Sequence, residues 1–424
     1  MAITDYYCDL NDVTIGNAGT PADPFSWVDV VTRMNGGAAA PGDRYNIRGS
    51  ITRTVTDTFI NDGLATSPII FRGCYGSGET WNVITPTRSA YNGALVTTNY
   101  PYINYNGNFG IAASNSNNMI LSALRISSGY TGASAVRVGT LVVAYGLSVS
   151  NSASNASSYA FFSGGSGACI LSDFSCSGTT AGQYAVYMSN GEVIGCRVSD
   201  SAGYGIWFNA SGTCISNAFY GCDSYAIGVS AGLASNRVIA LYNTFHGGSG
   251  GITMGDVAHT GLSIILGNHS TDGSGYAFYS PNATGGPVAL AYNRTRDNVS
   301  GPVYWNGDWA TASTWSHVTS GEGLGPTVDY VNAPTDLNLV PTAAGVDQGI
   351  MSSDIGALQR AEKILPNVDD VWHTSTNWGE RGAQSGIKTA STIDNCVPSN
   401  IKTGVVIDDV TGTQGFYLAL VKNS

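Results

Sequence analysis

The chain has 424 residues, of which only 11% are charged, and its formal net charge at neutral pH is −11. That balance speaks against a nucleic-acid or anionic-membrane partner, because phosphate-rich surfaces repel an acidic protein. No apolar run reaches the roughly 18 residues that a membrane-spanning helix needs.

Taken in order, the opening Met1-Ala2-Ile3-Thr4-Asp5-Tyr6-Tyr7-Cys8 has neither the basic nor the apolar region of a secretory signal. The expectation is a protein made in the cytoplasm and not exported by that route. Residues 1–110 read as the entry to a repetitive array. Asp5-Tyr6-Tyr7-Cys8-Asp9 and Asn17-Ala18-Gly19-Thr20 lead to Asp23-Pro24-Phe25-Ser26. The apolar spacing over Phe25–Met34 then predicts one short capping helix, before Gly42-Asp43-Arg44-Tyr45 re-enters strand-like sequence.

From residue 111 a pattern of tyrosine, small residue and bulky apolar residue recurs. It appears at Tyr159-Ala160-Phe161, Tyr184-Ala185-Val186, Tyr204-Gly205-Ile206, Tyr225-Ala226-Ile227 and Tyr276-Ala277-Phe278. The gaps are 25, 20, 21 and 51 residues, and the degenerate copy Gly250-Gly251-Ile252 fills the long one. Such a period is too short for a propeller blade or a helix pair and fits one rung of a β-solenoid. A second series keeps step about ten residues ahead, and places Asn217, Asn243, Asn268 and Asn293 at one equivalent position in four successive rungs. Stacked at the inter-strand spacing of about 4.8 Å, these amides would hydrogen-bond along the axis. The tyrosines would stack in the same way, and Cys169, Cys176, Cys196, Cys214 and Cys222 read as small buried wedges. Eight cysteines without CxxC spacing point to free thiols, with neither a disulfide framework nor a zinc site.

The residues so far resemble the right-handed parallel β-helix proteins of the pectate-lyase-like superfamily. The N-terminal strand, Gly-rich turn, Pro24-Phe25, short helix and Gly42-Asp43 are similar to that family's N-terminal cap, and Ser67-Pro68-Ile69-Ile70-Phe71-Arg72-Gly73 to its first full coil. Val331-Asn332, Asp336-Leu337-Asn338-Leu339 and Asp354-Ile355-Gly356-Ala357-Leu358-Gln359 run in the order of its closing coils. The resemblance implies an all-β fold: a right-handed parallel β-helix with coils of about 20–27 residues, an N-terminal cap (1–110), a core with closing coils (111–360) and a small C-terminal β module (361–424). Because this scaffold carries lyases, hydrolases, phage tailspikes and inert structural proteins alike, it does not fix function.

Beyond residue 360 lysine appears for the first time, at Lys363, and the rhythm stops. Leu365–Val371 and Val397–Val405 read as two copies of a small β-unit, the second continuing as Val406-Ile407-Asp408-Asp409-Val410-Thr411-Gly412-Thr413. That ending is similar to short C-terminal modules of phage virion proteins.

The candidate chemistry lies on a stripe of turns. Four residues past each ladder position stand Asp200, Gly221, Gly247, Asp272 and Asp297, with Asp223 nearby. Asp272 and Asp297 would sit on adjacent coils, and carboxylates about 5 to 5.5 Å apart suit a retaining glycosidase. Aspartate after a strand is also an ordinary turn residue. Lyase chemistry needs a base and calcium ligands, yet the coils offer no lysine and only Arg125, Arg137, Arg197, Arg237, Arg294 and Arg296. The doublets Asp369-Asp370 and Asp408-Asp409 read as solvated turns. Trp305, Trp309 and Trp315 offer either a sugar platform or packing against the tail, and His246, His259 and His269 read as surface residues of the turns.

No catalytic, cofactor or metal residue is assigned. The reading that covers most features is a structural virion surface protein of a bacteriophage: capsid decoration, fibre or non-enzymatic spike. It is expected as a homotrimer, attached to other virion proteins through 361–424 and contacting host surface polysaccharide. The alternatives are a tailspike depolymerase using Asp272 and Asp297, and a carbohydrate-binding adhesin.

Overall fold

A computed structural model describes residues 3–339 except 90–92, 114–115, 130–133, 154–157, 179–182, 231–236, 255–262, 281–287, 292, 297, 306–317, 321–329 and 333–335, together with 406–407 and 410–411. The chain divides into two units, residues 1–358 and 359–424.

The first unit is a solenoid of parallel coils. A 20-stranded sheet wraps two faces and an 11-stranded sheet makes the third. The first face carries Ser134–Val138, Tyr204–Phe208, Tyr225–Val229, Gly250–Met254 and Tyr276–Ser280, and the second carries Val142–Tyr145, Gly212–Ile215, Val238–Leu241 and Ser263–Leu266. Two long strands, Tyr159–Ile170 and Tyr184–Ile194, bend around the corner and join both faces. The third face runs through Arg125–Ser128, Ser148–Asn151, Asp173–Cys176, Arg197–Ser201, Ala218–Cys222, Thr244–His246 and His269–Thr271. The second series of repeats in the sequence is this third face.

Parallel register turns each inward position into a column. Val136, Phe161, Val186, Ile206, Ile227, Ile252 and Phe278 follow one another on the first face. Ala144, Cys169, Val193, Cys214, Ala240 and Ile265 do so on the second. The seven described cysteines are free and buried, and Cys396 lies outside the described residues.

The corner between the second and third faces is a two-residue turn. Its first residue has positive φ: Ala123, Gly146, Leu171, Gly195, Ser216, Tyr242 and Gly267 fall between 49° and 68°. Its second residue forms the column Leu124, Leu147, Ser172, Cys196, Asn217, Asn243, Asn268, Asn293. The Asn217 amide donates to Asn243 Oδ1 at 2.9 Å, Asn243 to Asn268 at 2.9 Å, and Asn268 to Asn293 at 2.9 Å. Each Oδ1 also accepts the backbone N–H of the preceding asparagine, at 2.8–3.0 Å. The same backbone donor is met by Asn217 Oδ1 below Cys196 and by Ser172 Oγ below Leu147. All four asparagines are fully buried, so the column satisfies amides that burial would otherwise penalise.

The helix α1 spans Trp27–Asn35, two residues after the expected start and one past the expected end. Ser26 and Asp29 form a reciprocal capping box, and Trp27, Val30 and Met34 turn inward over the first coil. Beneath it the buried Asp57 carboxylate accepts from Trp27 Nε1 and Tyr105 Oη, each at 2.7 Å, and pairs with Arg53. Of the described residues between Tyr75 and Tyr102, Gly78, Thr80 and Trp81 stay at that end against Arg48, whereas Arg88 and Leu95 reach further along the solenoid. Arg88 from this stretch pairs with Asp173 at 2.7 Å and donates to the Gly195 carbonyl at 2.8 Å, while the Leu95 N–H binds Asp173 Oδ2.

At the far end the last parallel strand described is Val318–Ser320. Tyr330–Asn332 and Asp336–Leu339 then pair antiparallel where a further parallel rung was expected; Asp354–Gln359, also read as a closing coil, lie outside the described residues. In the second unit, Val406–Ile407 pairs antiparallel with Val410–Thr411; the other residues of the two proposed tail repeats lie outside the described residues.

Asn243→Ala should strand the Asn217 backbone donor and the Cys214 carbonyl, costing on the order of 3 kcal/mol, measured by urea denaturation against wild type. Burial pushes the thiols of Cys196 and Cys222 and the phenols of Tyr45 and Tyr100 up to about 12. These groups are held neutral when folded. Their contribution is therefore complete below the ordinary values of 9.0 and 10.0 and is lost as pH rises toward about 12. Thermal unfolding midpoints should hold near neutrality and fall above roughly pH 9.

Candidate functional site

The turn stripe carries the candidate aspartates. Asp200, Gly221, Gly247 and Asp272 have φ of +50°, +62°, +72° and +57°. These four coils thus pass this point in the left-handed conformation, which glycine adopts freely and aspartate tolerates better than most residues. Asp272 is half-exposed, and its carboxylate lies 3.2 Å from His246 Nδ1, which also meets Thr271 Oγ1 at 3.0 Å. In the strand register the preceding coil offers Gly247 beside Asp272, and Asp297 lies outside the described residues. The geometry that is described assigns Asp272 to the turn.

The histidines separate. His246 is half-buried on the third face, whereas His269 is completely buried in the strand His269–Thr271, so the surface reading of His269 is corrected. Its position follows from register, since it pairs with Thr244 on the coil before. His259, Trp309 and Trp315 lie outside the described residues; Trp305 ends the strand Gly301–Trp305. Among the described coil arginines, Arg125 stacks on Tyr102, Arg137 on Phe162 and Arg197 on Tyr220, at 4.5–4.8 Å from the centroids.

The tyrosine column stacks as expected. Tyr159 and Tyr184 lie 5.5 Å apart with planes 9° from parallel, and Tyr184 and Tyr204 follow at 5.7 Å. A companion column three residues on stacks Phe162 on Tyr187 at 4.8 Å. The rings are half-buried and turn their faces to one another along the axis, leaving mainly edges outward. Sugar stacking uses a free ring face, so most of this surface serves the fold. At Gly228 the column lacks a side chain, and the Trp207 indole lies across the gap, where a Cβ would come within 2.4 Å of it.

On the outer side of the corner between the first and second faces lies an open groove of about 530 Å³. Sequence reasoning missed it. Gly167, Gly191 and Gly212 are in register there, and the core side chains Met188 and Phe208 occupy the inner space that a Cβ on Gly191 or Gly212 would need. The strands can therefore turn the corner without a protruding loop. What faces outward is small or polar: Ser166, Asn190 and Ser211 along one row, Ala168, Glu192 and Thr213 along the other. Leu141 and Val143 close one end and Arg237 the other. Glu192 and Arg237 are exposed. The recurring glycines, spaced 24 and 21 residues apart, were the available signal.

Among the described residues no group of three or more His, Cys, Asp or Glu side chains converges as metal ligands would.

Three parallel faces, coils in register and an asparagine-lined two-residue turn define this protein as a right-handed parallel β-helix, the class its repeats resemble. No family model and no curated protein matches the chain. Among solved structures it is similar to pectate lyase Pel9A, at 13% identity and a TM-score of 0.48, over 84% of this chain and 97% of that one. It is also similar to the GH136 lacto-N-biosidase from Eubacterium ramulus (10%, TM-score 0.24, 74% and 68% covered) and to the PL6 family alginate lyase AlyGC (9%, 0.28, 88% and 60%). At these identities and scores no activity or residue role passes from them to this chain.

If Asp272 serves the turn, Asp272→Gly should keep the melting temperature within about a degree, and Asp272→Ala should cost about 1 kcal/mol through left-handed strain. Calorimetry of the two variants side by side checks this.

Proposed function

We propose that this chain is a structural surface protein of a bacteriophage particle, a capsid decoration, fibre or non-enzymatic spike that also contacts a host polysaccharide. The observation that carries the reading is how the coils spend their side chains. Asparagines, stacked aromatics and ring-bound arginines are committed to joining one coil to the next. The one acid singled out for catalysis that the structure describes, Asp272, stands in a turn position that glycine fills on the preceding coil. Such a body is a stiff spacer with chemically quiet sides. The Val410-Thr411-Gly412-Thr413 ending, similar to virion modules, supports a particle-bound role for residues 361–424, with the chain assembling as a homotrimer, since symmetric homo-oligomers are the default for such proteins.

Immunogold labelling of intact particles from the source sample tests the reading. Label over the whole shell is expected for a decoration protein and label on the tail for a spike; particles without label overturn it. Light scattering at micromolar concentration should give three times the chain mass of 43.9 kDa, and a stable monomer would remove the trimer.

A further inference from the structure

We infer that the groove floored at Ala168, Glu192 and Thr213 is a glycan-binding site, with the ligand lying along the solenoid axis. The inference rests on the polysaccharide-contact reading above and names its site. Four neutral hydrogen-bonding side chains, Ser166, Asn190, Ser211 and Thr213, line three successive coils; Asn190 Oδ1 and Ser211 Oγ each accept one backbone N–H from the next coil, at 3.1 Å, which leaves the Asn190 amide N–H groups and the Ser211 hydroxyl proton, with the Ser166 and Thr213 hydroxyls, to meet a ligand. They repeat at about 4.8 Å, a pitch on the scale of one sugar ring, so hydroxyl partners recur unit by unit. The floor is low because Ala168 is the one outward side chain on its coil between Ser166 and Ile170, Gly167 having none and Cys169 pointing into the core. A ring can therefore approach the sheet, and Leu141 and Val143 offer its C–H face an apolar wall.

The charges restrict the class further. Glu192 is an exposed carboxylate able to accept from a pair of hydroxyls, and Arg237 lies two coils further on, about 10 Å along the axis. Arg237 fits a carboxylate on the ligand through paired N–H donors. One cation opposite one anion suits a hydroxyl-rich oligosaccharide that is neutral or carries an occasional acidic sugar. A densely phosphorylated ligand would find too little positive charge. A peptide strand is disfavoured because the floor's backbone is already hydrogen-bonded on both sides, Gly191 lying between Gly167 and Gly212, so no strand edge is open for addition.

The test is binding of the full chain to an array of purified bacterial O-chains and capsular polysaccharides, neutral and uronic-acid-containing, followed by calorimetric titration of the best binder. Ala168→Trp, which fills the floor from the solvent side, should weaken binding at least tenfold with an unchanged melting temperature. Glu192→Gln, nearly isosteric and exposed, should weaken it severalfold and guards against a folding defect in the first variant. Arg237→Ala should weaken acidic glycans several times more than neutral ones and reduce the salt dependence. Tyr187→Ala, on the first face, should leave affinity within twofold. Wild-type binding that all three groove variants retain would overturn this site while leaving polysaccharide contact intact. Wild type binding nothing on the array would overturn both.

Discussion

Parallel strands stack at about 4.8 Å because backbone hydrogen bonds fix that distance, and everything else in this molecule follows from it. A residue placed at one point of a coil must meet its counterparts above and below, so the fold tolerates at each column only side chains that can touch copies of themselves. The corner column shows the rule at its strictest. Its occupants change from leucine to serine to cysteine to asparagine, and each polar member accepts the backbone N–H of the coil before it. The outward columns obey the same rule with aromatic rings.

That constraint also explains why the sides of the solenoid offer little obvious chemistry. A column that stacks on itself spends its hydrogen bonds and ring faces internally. Function then has to come from places where the stacking is interrupted: a glycine that bares the sheet, a corner taken without a loop, or a segment that leaves its coil. The groove beside Glu192 is the first two of these together. The excursion that carries Arg88 to Asp173 is the third, and it ties the entry region to coils far along the chain.

Much of the fold was legible. The tyrosine and asparagine periods located two of the three corners, the short helix was placed within two residues, and the cysteines were recognised as wedges. The hairpin at Tyr330–Asn332 and Asp336–Leu339 was not, because alternation of apolar and polar residues marks a strand without saying whether its partner runs parallel or antiparallel. His269 was misjudged for a related reason: a lone polar residue shows no period, and its burial depends on what the neighbouring coils lay against it.

The sequence by itself determined the class of architecture, because a repeat of 20 to 25 residues with self-matching columns has one low-energy solution, a stack of coils. It also determined which side chains meet along the axis, since equal spacing in the chain becomes contact in the stack. Only the tertiary structure decided which columns face each other across a corner. The turn at Gly167, Gly191 and Gly212 depends on Met188 and Phe208 filling the inner space there, and that three-dimensional fit put a carboxylate, a guanidinium and a row of hydroxyls around one groove.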